Sequence, residues 1–291
     1  MATDFDATAT MLIEPRVRPV GTGQVRRLLP YRQRRMIGPF IFVDVMGPEQ
    51  LAAGTGTDVD AHPHIGLAAV TYLLEGRLVH RDSTGAVAAI EPGAVNWMTA
   101  GAGVTHTERS HPDDRTTDCL LHGLQTWVAL PDETEDGPAR FQHIGAGEVP
   151  TERRGASTVR VAVGSGFGLE SPVSTSSPLL LAEIDVAEGS PVPVDATFGE
   201  RGLLAIDEGI TLNDTPLREA TLAVLEPGAP AVVGGRGRAV VLAGEPVGAR
   251  NIWWNFVHSD AERIEQAKHD WTHQAFPTVP GDHDPWVPLP T

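Results

Sequence analysis

Short apolar segments separated by glycine and proline recur along the whole of this 291-residue chain. The 31 glycines and 24 prolines are spread along the sequence rather than clustered. Apolar runs this short and this closely spaced are typical of an all-β sandwich or barrel, in which many strands are joined by tight turns. The runs that predict strands are PFIFVDVMGP, AAVTYLLEG, LQTWVAL, TVRVAVGSG, LLLAEIDV, GLLAIDEG, LAVLEPG, RAVVLAGE and NIWWNFV.

One helix is predicted near the C-terminus, from about Asp260 to about His273. Ser259 and Glu262 have the spacing of a capping box, which marks a helix start. The residues that then fall on one face of the helix are Ile264, Ala267, Lys268 and Trp271. The segment beyond, PTVPGDHDPWVPLPT, contains too much proline to continue a helix or a strand.

Charge and cysteine content exclude several classes of protein. The net charge of −16 repels phosphate backbones, so we expect no direct binding to nucleic acid. The one basic cluster, RRLLPYRQRR at Arg26 to Arg35, is interpreted as a solvated face with ion pairs. A single cysteine, Cys119, excludes an intrachain disulfide. No secretory signal and no apolar run near the ~20 residues of a membrane span is present. We therefore expect a soluble, cytoplasmic monomer without membrane contact.

The chain also resembles itself. HPHIGLAAVTYLLEG, from His62 to Gly76, aligns without gaps over DATFGERGLLAIDEG, from Asp195 to Gly209. IEPGA further along the first segment corresponds to LEPGA further along the second. This repeat predicts two similar β domains in tandem. We place the first domain at residues 1–135 and the second at 136–291, with the helix and tail in the second.

Two pairs of ligand-type residues have the spacing that puts side chains on one face of a strand. His62 and His64 form the first pair, and His106 and Glu108, in GAGVTHTERS, form the second. Residues i and i+2 of a strand point to the same side. Two strands that each carry such a pair can converge on one divalent ion, with three nitrogens and one oxygen. The sequence therefore predicts a metal site with these four ligands.

Several segments resemble the pirin family of the cupin superfamily. They are RRMIGPFIFVDVMGP, HPHIGLAAVTYLLEG, EPGAVNWMTAGAGVTHTER, LHGLQTWVAL and NIWWNFVHSDAERIEQAKHDW, which together cover nearly the whole chain. The resemblance implies two cupin barrels of the jelly-roll type that face each other, with a single iron in the N-terminal barrel. The iron ligands it implies are His62, His64, His106 and Glu108, the same four residues. Ligand type alone leaves Mn, Co, Ni, Cu and Zn possible beside Fe.

The repeat allows the second domain to be compared with the first. Asp195 and Thr197 align with the first histidine pair, and counting from the shared Pro-Gly aligns Val241 and Ala243 with His106 and Glu108. Valine and alanine offer no ligand atoms, so we expect no metal ligands in the second domain. Three further histidines, His80, His111 and His122, are interpreted as hydrogen-bonded or exposed. Of these three, we expect His122 to lie nearest the metal.

Two functions are compatible with this site. Some bacterial pirin-like proteins are similar to quercetin 2,3-dioxygenases, which implies a small aromatic flavonol and dioxygen as substrates. Glu108 is then the expected proton acceptor, because a carboxylate beside a metal can act as a base. Animal pirins resemble iron-dependent cofactors of a transcription factor, and some bacterial relatives modulate a metabolic enzyme. The alternative is therefore a non-enzymatic regulator whose iron controls binding to a protein partner.

Overall fold

The structure, a computed structural model of the chain, describes residues 8–290, in which short strands predominate. The strands of the first half are β1 (Ala9–Ile13), β2 (Arg16–Val20), β3 (Gly23–Leu29), β4 (Phe40–Leu51), β5 (Asp58–His64), β6 (Leu67–Glu75), β7 (Leu78–Asp82), β8 (Val87–Ile90), β9 (Val95–Thr99), β10 (Val104–Ser110), β11 (Cys119–Ala129) and β12 (Arg140–Ile144). A short 3₁₀-helix at Pro112–Arg115 precedes β11.

The second half continues in the same way. Its strands are β13 (Thr151–Arg154), β14 (Ser157–Gly166), β15 (Leu169–Glu170), β16 (Leu179–Val186), β17 (Val192–Pro193), β18 (Glu200–Ala205), β19 (Ile210–Leu212), β20 (Thr215–Pro216), β21 (Leu222–Leu225), β22 (Val232–Gly235), β23 (Gly237–Gly244), β24 (Asn251–Trp253) and β25 (Phe256–His258). They are followed by the helix α1 (Ala261–Thr272). The prediction of an all-β protein with a short C-terminal helix is confirmed. No helix within residues 8–290 has the length and apolar character to cross a membrane.

Contacts between residues divide the chain into two compact units, each assembled from separate segments. The histidine unit, as we call it, comprises Val17–Val25, Val43–Ala146 and the chain from Val247 onward. The apolar unit, as we call the other, comprises the described residues up to Arg16 together with Arg26–Phe42 and Gly147–Pro246. The sequence predicts the helix and tail in the second domain, whereas their contacts lie in the histidine unit. The tandem boundary at residues 135 and 136 stays a prediction.

The histidine unit contains two sheets with the candidate site residues between them. One sheet has the strand order β5-β10-β7-β8, and the other has the order β12-β9-β6-β11-β4-β3-β2. Trp127 of β11 packs edge-on against the His64 ring of β5, with 5.0 Å between the ring centroids. The hydroxyl of Thr71 on β6 donates a hydrogen bond of 3.0 Å to Glu108 on β10. These contacts show that the inner faces of the two sheets meet at the two predicted ligand pairs.

The apolar unit also contains two sheets, one of eight strands built around β18, β23 and β16 and one with the order β17-β22-β19-β20. Its interior contains a large cluster of buried apolar side chains. Members of this cluster include Val159, Val161, Leu180, Ala182, Ile184, Leu203, Ala205, Val233, Val241 and Ala243. Burial of such side chains stabilises the fold by about 1.5–3 kcal/mol for each large one. Aliphatic side chains offer no atoms with which to hold a metal.

Strand pairing corrects the register that the sequence repeat gave for the apolar unit. β18 pairs with β21 and β23, as β6 pairs with β9 and β11. β22 pairs with β17 and β19, as β10 pairs with β5 and β7. The counterpart of β10 is therefore β22, and the alignment of Val241 and Ala243 with His106 and Glu108 was wrong. Pro92-Gly93 lies between β8 and β9, whereas Pro227-Gly228 lies between β21 and β22, so counting from the shared Pro-Gly passed over one strand.

The start of α1 also differs from its prediction by one residue. The side chain of Asp260, not that of Ser259, caps the helix by accepting a hydrogen bond of 2.8 Å from the Glu262 amide. The hydroxyl of Ser259 is hydrogen-bonded to the buried carboxylate of Glu135 instead. The predicted apolar face is confirmed, and its buried members are Ile264, Ala267 and Trp271. The run NIWWNFV, predicted as one strand, forms the hairpin β24-β25 with its turn at residues 254–255.

The proline-rich tail after α1 packs along β5 and β10, the strands of the histidine unit that carry the predicted ligands. The amide of Val287 donates to the carbonyl of Ala61 on β5, at 2.8 Å. The Asp282 carboxylate accepts hydrogen bonds of 2.8–3.0 Å from the Arg109 guanidinium on β10. It also accepts one of 2.8 Å from the hydroxyl of Thr107. Both strands that carry the predicted ligands are thus held from outside by the end of the chain.

Candidate metal centre

The two predicted ligand pairs lie on neighbouring antiparallel strands of one sheet. In the pairing of β5 with β10, His106 lies directly opposite His62, and Val104 lies opposite His64. Directly opposed residues of antiparallel strands project to the same face. The His-x-His and His-x-Glu spacings therefore act within one sheet, whose inner face presents all three imidazoles together.

The three imidazoles converge on one point. One nitrogen of each of His62, His64 and His106 lies within 4.8 Å of the corresponding nitrogens of the other two. The Nε2 atoms of His64 and His106 are 3.1 Å apart. The ring centroids are separated by 4.2–5.1 Å. All three side chains are buried. Among residues 8–290, this is the one group of metal-ligand side chains that meets at such distances.

In His62 and His64, the Nδ1 atom contacts a backbone carbonyl oxygen, which leaves Nε2 as the nitrogen available to the shared centre. Nδ1 of His62 lies 2.8 Å from the carbonyl oxygen of Asp60, on its own strand. Nδ1 of His64 lies 3.1 Å from the carbonyl oxygen of Asn255, in the β24-β25 turn. A carbonyl only accepts hydrogen bonds, so these two Nδ1 atoms carry the ring protons. The lone pairs of their Nε2 atoms then point toward the shared centre.

The separation of the nitrogens and their protonation state both fit a bound metal ion. Imidazole nitrogens bind metals at about 2.1 Å, so two ligands at a right angle lie about 3.0 Å apart. The observed 3.1 Å between His64 and His106 agrees with this value. Burial lowers the pKa of His62 to about 4 and lowers the pKa values of His64 and His106 well below the ordinary value. The three imidazoles are thus neutral near pH 7, which metal binding requires.

Glu108 lies beside this group but is not one of the side chains that converge within 4.8 Å. The pairing of β10 with β5 shifts register between His106 and Glu108, so that Glu108 lies opposite Val59. Such a bulge redirects the side chains next to it. Burial raises the pKa of Glu108, although the electrostatic interaction with His80 and the hydrogen bond from Thr71 act to lower it. Its roles as fourth ligand and as catalytic base stay predictions.

A fourth histidine contacts the group, and it is not the one that the sequence analysis favoured. Nδ1 of His80, on β7, lies 3.4 Å from Nδ1 of His106, and its Nε2 lies 3.0 Å from Oδ2 of Asp82. His122 is buried in β11 opposite Glu75, and His111 caps the 3₁₀-helix. His80 and Asp82 have the same i, i+2 spacing as the predicted ligands. That His-x-Asp signal was present in LVHRD and identifies β7 as a third strand of the site.

Comparisons with known families match both halves of the chain. The family described as Pirin matches residues 22–128, and the family described as Pirin C-terminal cupin domain matches residues 181–277. A pirin-like protein from Caulobacter vibrioides is 40% identical over 285 residues, which cover 96% of this chain and 99% of the relative.

Solved structures show the same architecture. A crystal structure of quercetin 2,3-dioxygenase from Acinetobacter baumannii is 31% identical, with a TM-score of 0.88, and the match covers 97% of this chain and 95% of that one. A second structure of that name from the same organism is 26% identical, with a TM-score of 0.87 over 96% of this chain and 100% of that one. The chain therefore contains two cupin domains.

Proposed function

The chain belongs to the pirin family of bicupin proteins, and from that premise we propose that it is a metal-dependent dioxygenase that opens flavonol rings such as that of quercetin. The observation that carries this proposal is the group of three buried, neutral imidazoles at His62, His64 and His106. Similarity over nearly the whole chain to a protein named quercetin 2,3-dioxygenase supports the choice of reaction.

The three histidines hold the metal in this proposal, with Glu108 as the fourth ligand. Imidazole and carboxylate suit several divalent metals, and we propose iron among them. When bound, the metal supplies Lewis acidity and open positions for substrate and dioxygen. The aromatic rings of Trp127 and Phe141 contact His64 and His80, and in this proposal the flavonol binds beside them.

Glu108 takes the proton of the flavonol hydroxyl in this proposal. A carboxylate with a raised pKa holds a proton more firmly than an ordinary glutamate, which suits a general base. The hydroxyl of Thr71 donates to Oε1 of Glu108 and orients the carboxylate, and Gln125 lies 2.9 Å from the same hydroxyl. The second oxygen, Oε2, is the atom that we assign to the proton transfer.

Oxygen consumption with quercetin tests the proposal. The protein is stripped of metal, reloaded with Fe(II) and compared with the unloaded form. We expect uptake that needs the metal and is lost in His106→Ala. Glu108→Gln lowers kcat by about 10²–10⁴-fold, the usual contribution of a general base. His269→Ala, which removes an exposed histidine from α1, is the matched control and retains full uptake.

Two results would overturn the dioxygenase proposal: firmly bound iron without oxygen uptake, or uptake that persists in His106→Ala. The first would favour the regulatory alternative, in which the metal controls binding to a protein partner. A pull-down with the native protein and His106→Ala would then compare the two sets of partners. Location in the cytoplasm and the monomeric state stay predictions from the sequence.

A further inference from the structure

We propose that Asp82 and His80 fix the ring proton of His106 on Nδ1, so that its Nε2 lone pair points toward the metal. The inference rests on the metal binding proposed above and adds a positioning role for two residues of β7. It concerns where the proton sits on a neutral imidazole, not whether the imidazole is charged.

The strand pairing brings β7 to the other side of β10 from β5. Asp82 lies directly opposite His106, and His80 lies directly opposite Glu108. Opposed residues share a face, so both side chains enter the same interior as the ligands. His80 and Asp82 are buried, with 4% and 0% of their surface exposed. The site is therefore built from three adjacent strands, each of which contributes an i, i+2 pair.

The direction of the hydrogen bonds between Asp82, His80 and His106 is determined by the carboxylate of Asp82. Oδ1 of Asp82 accepts from the amide of Thr84 at 2.8 Å and from its hydroxyl at 2.6 Å. The amide of Ala86 also lies 3.3 Å from this oxygen. Three donors on one oxygen identify Asp82 as an ionised carboxylate, which only accepts hydrogen bonds. The 3.0 Å contact with His80 is thus an N–H donated by Nε2 of His80 to Oδ2 of Asp82.

The direction of the hydrogen bond between His80 and His106 follows from that of the bond between His80 and Asp82. With its ring proton donated from Nε2 to Asp82, His80 offers a lone pair at Nδ1. Across the contact of 3.4 Å, that lone pair accepts the N–H of His106 Nδ1, in a long hydrogen bond. The remaining lone pair of His106 is then on Nε2, which is the atom 3.1 Å from Nε2 of His64. A fixed carboxylate therefore determines the tautomer of a ligand two hydrogen bonds away.

His106 needs this arrangement because its partner differs in kind from those of the other ligands. His62 and His64 donate to backbone carbonyls, which cannot reverse their roles. An imidazole can act as donor or acceptor at either nitrogen, so His80 alone would leave the tautomer of His106 undetermined. The ring of His80 is also stacked on Phe141, with 4.4 Å between centroids and 12° between planes, which fixes its orientation.

The substitution Asp82→Asn reverses the direction of the hydrogen bonds from residue 82 through His80 to His106, and it hardly changes the size of the side chain. Three donors hold the amide oxygen of the new side chain at the Oδ1 position, so its NH₂ group faces His80. His80 then accepts at Nε2 and donates from Nδ1, which moves the proton of His106 to Nε2. That nitrogen can no longer bind a metal. Substitutions behind metal ligands typically weaken affinity 10–100-fold, and we expect a loss in that range.

Nitrogen-15 NMR of the metal-free protein near pH 7.5 tests the tautomer without any metal. We expect the proton of His106 on Nδ1 in the native protein and on Nε2 in Asp82→Asn. The Kd for Ni(II), measured by competition with a chelator, should rise 10–100-fold in the same variant. The matched control is Asp195→Asn, which makes the same change at a carboxylate that accepts backbone hydrogen bonds in the apolar unit. It should alter neither measurement.

His80→Phe provides a second variant should Asp82→Asn fold poorly. Phenylalanine keeps the stacking on Phe141 but offers no acceptor to His106, so a mixture of tautomers and a weaker Kd are expected. A native His106 with its proton on Nε2, or a Kd unchanged in both variants, would overturn the inference. A native protein that binds no Ni(II) or Fe(II) would overturn the proposed metal function, whatever the NMR spectra show.

Discussion

Burial keeps the imidazoles of His62, His64 and His106 uncharged, and the folded protein loses stability for that reason when the pH falls. The pKa of His62 is about 4 in the folded protein, against an ordinary value of 6.5. The unfolded state therefore binds more protons than the folded state between these two pH values. The same direction holds for His64 and His106, which are lowered for the same reason.

The metal-free protein should consequently lose stability as the pH falls from 6.5 to 4. His62 alone accounts for a loss of up to about 3 kcal/mol, at 1.36 kcal/mol for each pKa unit. The raised pKa of Glu108 acts to increase stability as the pH falls, but it opposes the combined effect of three histidines. Urea unfolding at pH 7 and pH 4.5, in the presence of a chelator, measures the difference. A free energy of unfolding that is the same in native protein and His62→Asn at both pH values would contradict this account.

At the scale of elements, the connection between β5 and β6 holds the histidine pair in register. Gly66 has φ of +67°, and a side chain there would place its Cβ 1.8 Å from the carbonyl oxygen of Val257 on β25. The Gly66 amide donates to the Gly101 carbonyl, and its own carbonyl accepts from the Leu130 amide, at 2.9 and 3.0 Å. Four segments of the histidine unit therefore meet at a residue without a side chain.

Gly66→Ala should lower the free energy of unfolding by about 3 kcal/mol or more, because the backbone of β25 must move to admit the methyl group. Gly85→Ala is the matched control. Gly85 also has positive φ, +90°, but no atom lies within 4 Å of the position of its Cβ. That control isolates the conformational term, about 1 kcal/mol. Chemical denaturation of both variants gives the comparison, and equal losses would refute the role of the close contact.

The site residues could be predicted from the sequence wherever the spacing of their side chains formed a recognisable pattern. The i, i+2 spacing predicted that His62, His64 and His106 meet, and the same rule applied to LVHRD would have added His80 and Asp82. The carbonyl of Asn255, which orients His64, could not be predicted, because every residue has such a group.

The order of the strands and the residue that caps α1 could not be predicted correctly from the sequence. The mistaken register of Val241 and Ala243 arose because chain spacing does not determine which strands pair. Ser259 lost its predicted capping role because the buried Glu135 binds its hydroxyl, a contact between residues far apart in the chain. Each of the nine short apolar runs, in contrast, falls on a strand or a hairpin, because the periodicity of a strand is local. Strands outside these runs, such as β2 and β13, are rich in charged residues.

At the scale of the whole molecule, the net charge of −16 attracts any divalent cation to the surface. Weak surface binding must therefore be distinguished from binding at the imidazoles. Hard cations such as Mg²⁺ prefer oxygen ligands, whereas Ni²⁺ and Zn²⁺ bind imidazole. The two kinds of site should respond to different metals.

Ni²⁺ or Zn²⁺ at 100 times its Kd should stabilise the metal-free protein by about 2.7 kcal/mol, because only the folded state contains the assembled site. The Tm should rise by several degrees with these metals, and Mg²⁺ at the same concentration should give no comparable rise. His106→Ala should remove the effect of Ni²⁺ and Zn²⁺. A similar increase with all three metals would attribute the stabilisation to the acidic surface.

The hydrogen bond between His64 and the carbonyl of Asn255 joins residues 191 positions apart. A ribosome that adds about 5–20 residues per second makes Asn255 about 10–40 s after His64. Val287 and Asp282, which hold the ligand strands from outside, are made later still. A nascent chain therefore exposes its histidine pair long before the carbonyl that orients His64 has been made. We expect the imidazoles of His62, His64 and His106 to reach their final arrangement only after Asn255 and the segment that contacts β5 and β10 have been synthesised.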